Sequence, residues 1–238
     1  MTVWRTRQQE RLAFACALAL AVGVFETWPG LDLWASGQFY VQQAFEGRGW
    51  LWVWVLYEWS PTLARALVLL ALLAVGVALI RPGLLPRHWV RRAIALSLVA
   101  ALGVGLLVHN VLKDNWGRPR PALTEQFGGI HPFQPPLQPS NLCPRNCSFV
   151  SGHAAGGFMF MAVGLMGSRR TRWRWLAIGA LAGTSIGLAR IAAGGHYLSD
   201  IVFGFLVLWG LCMVLRELWL RLACRRQRRR TRQTLSAP

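Results

Sequence analysis

Three short stretches of this 238-residue chain hold residue types that could manage an anion such as phosphate. They are Lys113-Asp114-Asn115-Trp116-Gly117-Arg118-Pro119-Arg120-Pro121, then Ser151-Gly152-His153, then Arg190, His196 and Asp200. His196 and Asp200 are four apart, so a helix beginning near Gly195 would put both on one face, about 5–6 Å apart at Cβ. A carboxylate there can hold one imidazole nitrogen as N–H and leave the other free to attack. His153 has no carboxylate in its own stretch and suits a general acid on a leaving oxygen, since histidine titrates in the useful range. Lys113, Arg120 and Arg190 supply positive charge, arginine as a bidentate fork and lysine as a point charge. Ser151-Gly152 at a helix start would add backbone amides. A His/His/Asp set could also bind zinc, but three cations around it disfavour a metal. Taken singly, each residue is ordinary. His88, His109 and His131 are read as interfacial or hydrogen-bonded histidines, and only the joint pattern carries weight.

The elements that must position these groups are apolar. Hydrophobic residues make up 54% of the chain and charged residues 15%, with 13 Trp, whereas an average globular chain is about 25% charged. The formal charge of +17 would by itself suggest a nucleic-acid binder. Long uncharged runs argue instead for an integral membrane protein, and the same runs exclude disorder. Six blocks stand out: 12–25, 66–80, 93–112, 149–166, 175–189 and 201–215. None alternates with period two, so a barrel is excluded. Each reads as a helix, because in lipid a helix satisfies its own backbone groups. Several blocks need flanking residues to reach the roughly 20 required for a span. The first could be a signal peptide, but no small-x-small cleavage site follows it, and an uncleaved span is expected.

Orientation follows from the arginines. Nineteen of the 26 basic residues fall before block 1, between blocks 2 and 3, between blocks 4 and 5, or after block 6. By the positive-inside rule that side is cytoplasmic and holds both termini. The run Arg225–Arg232 reads as a topology anchor, with acidic headgroups or RNA as other partners. The remaining basic residues, Arg48, Arg65, Lys113, Arg118, Arg120, Arg145 and Arg190, lie on the other side, where topology would prefer fewer. Four of them sit in the three chemical stretches, at helix ends and at one membrane depth. Ionisable groups so placed usually face a polar cavity inside a bundle. The tryptophans at 50, 52, 54 and 59 suggest an interfacial belt, and an amphipathic segment over 31–56 is expected to lie on the outer leaflet.

At these residues the chain resembles the type 2 phosphatidic acid phosphatase/haloperoxidase superfamily. That family's blocks are Lys-x6-Arg-Pro, Pro-Ser-Gly-His and Ser-Arg-x5-His-x3-Asp. Here they read Lys113…Arg120-Pro121, Val150-Ser151-Gly152-His153 and Ala189-Arg190…His196…Asp200. Spacing and order match over roughly 93–215, while Val150 and Ala189 replace the family's proline and serine. The resemblance implies an all-α polytopic membrane protein: six transmembrane helices, an active site at the periplasmic interface, a phosphatase domain at 1–222 and a basic cytoplasmic tail at 223–238. It further implies a phosphohistidine on His196 oriented by Asp200, with His153 as acid and no metal or cofactor. Phosphate would be held by Lys113, Arg120, Arg190 and the Ser151–Gly152 amides, with Arg118 as an extra contact to a second phosphate or headgroup.

Residues 127–129 and 143–150 resemble a proteobacterial subgroup that includes lipid A phosphatases. The expected substrate is therefore a membrane lipid phosphate, lipid A first, with undecaprenyl pyrophosphate, phosphatidylglycerol phosphate and phosphatidic acid open. The expected location is a bacterial inner membrane. A phosphotransferase passing phosphate from undecaprenyl pyrophosphate to lipid A, or a non-catalytic scaffold, are the alternatives. Cys143 and Cys147 could form a disulfide in an oxidising periplasm and stiffen the turn before Ser151.

Overall fold

The structure, a computed structural model, describes residues 2–235, with the side chains of residues 7–225 and 227. Of the expected basic tail, residues 236–238 and the side chains of Arg226, Arg228, Arg229, Arg230 and Arg232 lie outside the described residues. Helix α1 (Thr2–Thr27) ends before Pro29 and is followed by the short α2 (Gly30–Gly37), bent from it by 85°. A two-residue-per-strand hairpin, β1 (Tyr40–Val41) and β2 (Ala44–Phe45), turns through Gln42 and Gln43, both at positive φ. Then come α3 (Leu51–Ile80) and α4 (Arg87–Leu98), the latter continuing to Lys113 in wide π-type turns. A long irregular connection leads to α5 (Gly152–Phe158), which tightens to 3₁₀ geometry over Met159–Gly164. Helices α6 (Arg169–Ala192) and α7 (Leu198–Leu235) complete the chain.

Among the described residues, four helices are long and apolar enough to cross a membrane: Leu51–Ile80, Arg87–Lys113, Arg169–Ala192 and Leu198–Arg225. The bent pair Arg7–Thr27 and Gly30–Gly37 makes a fifth if it is one span. Helix α3 leaves Leu69, Leu70, Leu72, Leu73, Leu79 and Ile80 exposed, a surface suited to lipid rather than water. The block at 149–166 differs from the other five. Its helical stretch Gly152–Gly164 rises only about 22 Å, short of the roughly 30 Å of hydrocarbon, and Ala154, Ala155, Phe158 and Ala162 are fully buried. It forms the centre of the bundle.

Close approach to this central element depends on small residues. A Cβ at Gly157 would lie 2.6 Å from the Gly183 Cα, and one at Gly183 would strike the Phe158 ring. Gly179 and Gly187 extend the same four-residue repeat along α6, against Met161 and Ile201. Such small-xxx-small faces let helices pack without an aqueous hydrophobic driving force.

The amphipathic surface segment expected over 31–56 is not one element. Residues 51–56 are the first turns of α3, and α2 buries Asp32 completely, because that carboxylate has partners inside the bundle. At the end of the bundle where α1 and α6 begin, Glu10 pairs with Arg172 and Arg216, and Glu217 with Arg7, Arg11 and Arg221. The three chemical stretches gather at the opposite end.

Candidate active site

Each chemical residue sits where a helix starts or stops. Lys113 closes the extension of α4, Ser151 caps α5, Arg190 lies in the last turn of α6, and His196 precedes α7. Helix α7 begins at Leu198, so His196 stands in the turn before it and not on its first helical face. Asp200 still reaches it, with Oδ2 3.4 Å from the imidazole Nδ1. The Ser148 carbonyl is nearer to the same nitrogen, at 2.8 Å. Both neighbours are acceptors, so Nδ1 carries the proton and Nε2 keeps its lone pair. Burial holds the pKa of His196 down to about 3, although its hydrogen bond to Asp200 pulls the other way. The ring is therefore neutral at ordinary pH.

Asp200 is itself clamped. It accepts from the Ser148 hydroxyl, the Tyr197 amide at 2.9 Å and the Arg118 guanidinium at 2.7 Å. Arg118 also donates to Asp32 at 2.7 Å, to the Ser199 hydroxyl at 2.8 Å and to the Gln134 carbonyl at 2.9 Å. Burial alone would lower the Arg118 pKa, but Asp200 and Asp32 outweigh it and raise it, so the side chain stays cationic. This corrects the expectation of an extra substrate contact. Arg118 is fully buried with its donors committed, and it acts on Asp200.

Lys113 and Arg120 approach the same loop from the other side. Lys113 Nζ donates to the Cys147 carbonyl at 2.9 Å and Arg120 Nη2 to the Asn146 carbonyl at 3.0 Å. The backbone pairs Cys147 N–H with the Lys113 carbonyl and Ser148 N–H with the Arg118 carbonyl. Cys143 and Cys147 are joined in a disulfide, which closes the loop one residue before Ser148.

The Ser151 side chain accepts from the Ala154 amide as a helix cap, and its own amide donates to the Asp200 carbonyl at 3.2 Å. The expectation that both Ser151 and Gly152 offer amides to a phosphate is thus corrected for Ser151, whose N–H is engaged. Gly152 N–H is in the first turn of α5, where no intrahelical acceptor exists.

A cavity of about 680 Å³ opens beside Gly194 and Gly195, lined among others by Arg120, Arg190 and Tyr57. Next to it, a second cavity of about 350 Å³ is lined by Gly152, His153 and His109. Tyr57 connects the two. Its ring stacks on His153 with centroids 5.2 Å apart and lies 4.5 Å from the Arg190 guanidinium carbon. Arg190 is nearly buried, and its Nε has no hydrogen-bond partner among the described residues. Gly195 leaves room for that guanidinium, since a Cβ there would lie 2.3 Å from Nη2. Ala189, where the family has serine, is buried with Val53 of α3 and Ala192.

The structure thus brings together His196, Asp200 and Arg118 in one buried cluster. Arg120 and Arg190 line the larger cavity, and His153 lines the smaller. Ser148, Asp32 and Tyr57 were missed from the sequence. Asp32 had one available signal, as a lone carboxylate in a strongly apolar helix start. Ser148 and Tyr57 had none.

Residues 94–224 match the PAP2 superfamily. Among curated proteins the chain is similar to "Lipid A 4′-phosphatase" of Francisella tularensis subsp. novicida (strain U112), 44% identical over 88 residues, which is 37% of this chain and 40% of that protein. It is also similar to "Lipid A 4′-phosphatase" of Rhizobium leguminosarum, 40% identical over 90 residues, covering 38% and 39% of the two chains. The matched stretch spans about two fifths of the length of these relatives. No solved structure matches the chain.

Proposed function

The chain belongs to the PAP2 superfamily, and from that premise we propose that it is a metal-independent lipid phosphatase of a bacterial inner membrane, acting on lipid A. The observation that carries this reading is His196, neutral and held by the Ser148 carbonyl and Asp200 beside an arginine-lined cavity. The names of the relatives at 40–44% identity direct the choice of lipid. Both termini are cytoplasmic in this reading and the site is periplasmic, in keeping with the separation of the arginine-rich helix ends from the chemical end.

In the first step His196 Nε2 attacks phosphorus, a P–N bond forms and the bond to the lipid oxygen breaks. His153, held neutral in the free protein by burial with its pKa lowered to about 4, takes up a proton as the anionic substrate binds and gives it to that oxygen. Asp200 stabilises the charge that builds on the imidazole. Lys113, Arg120, Arg190 and the Gly152 amide offset the charge on the equatorial oxygens. In the second step water attacks the phosphohistidine, His153 takes up its proton, and inorganic phosphate leaves with His196 restored.

The test is phosphate release by purified protein from lipid A, undecaprenyl pyrophosphate, phosphatidylglycerol phosphate and phosphatidic acid, each with EDTA. EDTA-resistant release from lipid A, lost in His196→Ala, is the expected result. Label that leaves a donor lipid only when an acceptor lipid is present, without free phosphate, would replace hydrolysis by transfer. Release that EDTA abolishes would refute the metal-independent mechanism.

A further inference from the structure

The larger cavity holds more positive charge than one phosphate can use. Arg48, Arg120, Arg145 and Arg190 all line it, with Glu58 as the single acid among its lining residues. Arg120 and Arg190 belong to the family's blocks, whereas Arg48 and Arg145 do not. Among the described residues none of the four forms an ion pair, although five arginines at the opposite end of the bundle do, sharing just Glu10 and Glu217.

The Arg48 side chain is held in place, and the backbone that carries Arg145 is constrained. Arg48 Nε donates to the Ala193 carbonyl at 3.1 Å. The preceding Gly47 packs so closely on Ala192 that a Cβ would meet its carbonyl oxygen at 2.5 Å. Arg145 lies within the loop closed by the Cys143–Cys147 disulfide. The cavity, at about 680 Å³, is in the roughly 300–1,000 Å³ range of sites for whole small molecules. Val53, Trp54 and Leu123 give it an apolar wall.

We infer that Arg48 and Arg145 form a second anion subsite, so that the preferred substrate is a lipid whose headgroup bears a second phosphate besides the one removed. This rests on the lipid-phosphatase reading for the first phosphate. Four arginines against one carboxylate around a single void repel each other, and a second anionic group offsets that repulsion.

The experiment compares a synthetic disaccharide lipid carrying two phosphates with the same lipid carrying one, and adds a pyrophosphoryl lipid as a third arm. Both kcat/KM and equilibrium binding are measured for the wild type, Arg145→Gln, Arg145→Lys and Arg48→Gln. Wild-type protein is expected to prefer two phosphates over one. Arg145→Gln and Arg48→Gln should each cut that preference about tenfold, mainly through KM, with Arg145→Lys in between. Preference for the pyrophosphoryl lipid over the two-phosphate disaccharide would place the second phosphate next to the first. Arg145 is exposed, so its substitutions test the subsite even if Arg48→Gln fails to fold. Equal treatment of all lipids by the wild type, or an unchanged preference in the variants, would overturn the subsite. Absence of phosphate release from every lipid would refute the phosphatase reading instead, and the binding preference would then judge the subsite alone.

Discussion

Replacing Arg118 by methionine removes the one cation that two buried carboxylates share. Arg118, Asp32 and Asp200 all have side-chain exposures of 0%, and the two ion-pair distances are 2.7 Å. Methionine fills much of the same space, so the change is chiefly electrostatic. Breaking a buried pair by deleting one partner costs about 3–5 kcal/mol. Two pairs fail here at once, so Arg118→Met should lie near the top, at about 5 kcal/mol. Asp32→Asn should cost less, about 1–3 kcal/mol, because it leaves a one-to-one pair of Arg118 with Asp200. The double variant should fall short of the sum of the singles by about 1–3 kcal/mol, since the neutral amide no longer repels Asp200. Unfolding free energies in mixed detergent micelles supply the cycle. Phosphate release supplies the second readout, since a misplaced Asp200 should lower kcat more than it raises KM. A cost below about 1 kcal/mol for Arg118→Met, or a cycle additive to within about 0.5 kcal/mol, would refute the clamp.

Reducing the Cys143–Cys147 bridge frees a loop with a sequence separation of 4. Loop-closure entropy puts the loss near 2 kcal/mol, read as a lower unfolding temperature with reductant, and an unshifted temperature would count against it. His196 is held down to about 3 from an ordinary 6.5. Between those values the unfolded chain binds the extra proton, so stability should fall as pH drops through that window and stay level above it. His196's share of the slope should approach about 1.4 kcal/mol per pH unit and be lost in His196→Asn, leaving the share of His153, which burial holds down to about 4; an identical slope in the variant would exclude His196 as its source. Gly157→Leu should separate α5 from α6 and cost about 1–3 kcal/mol by overpacking, whereas a neutral result would mean that the Gly157–Gly183 approach is not tightly packed.

The charged blocks were legible because their spacing is local. Asp200 four after His196, and Arg120 seven after Lys113, keep their relation in almost any turn that ends one helix and starts the next. What surrounds them was not, because it is supplied from far along the chain. Asp32 reaches Ser199 across 167 residues and Arg118 across 86, and no spacing rule connects positions so distant. Arg118 and Arg120 look interchangeable in Gly117-Arg118-Pro119-Arg120-Pro121, yet one is sealed between carboxylates and the other lines a cavity. The central block illustrates a second limit. Hydropathy sees an apolar run at 149–166 and cannot distinguish a lipid-facing span from a short helix enclosed by other helices. The glycines at 179, 183 and 187 did carry that information, since a four-residue repeat of small residues calls for a close helical neighbour.

Charge placement, finally, separates positions set by topology from those set by chemistry. Seven basic residues broke the positive-inside pattern in the sequence. In the structure Arg65 hydrogen-bonds its own helix at the Pro61 carbonyl, and Arg118 has its two carboxylates. The other five, Arg48, Lys113, Arg120, Arg145 and Arg190, have no ion-pair partner among the described residues. Four of them line one cavity, and Lys113 holds the loop that carries Arg145 and Asn146 to its wall. Membrane insertion gives no reason for unpaired cations to converge there. An anionic headgroup does, and the number of arginines bears on how many phosphates it carries.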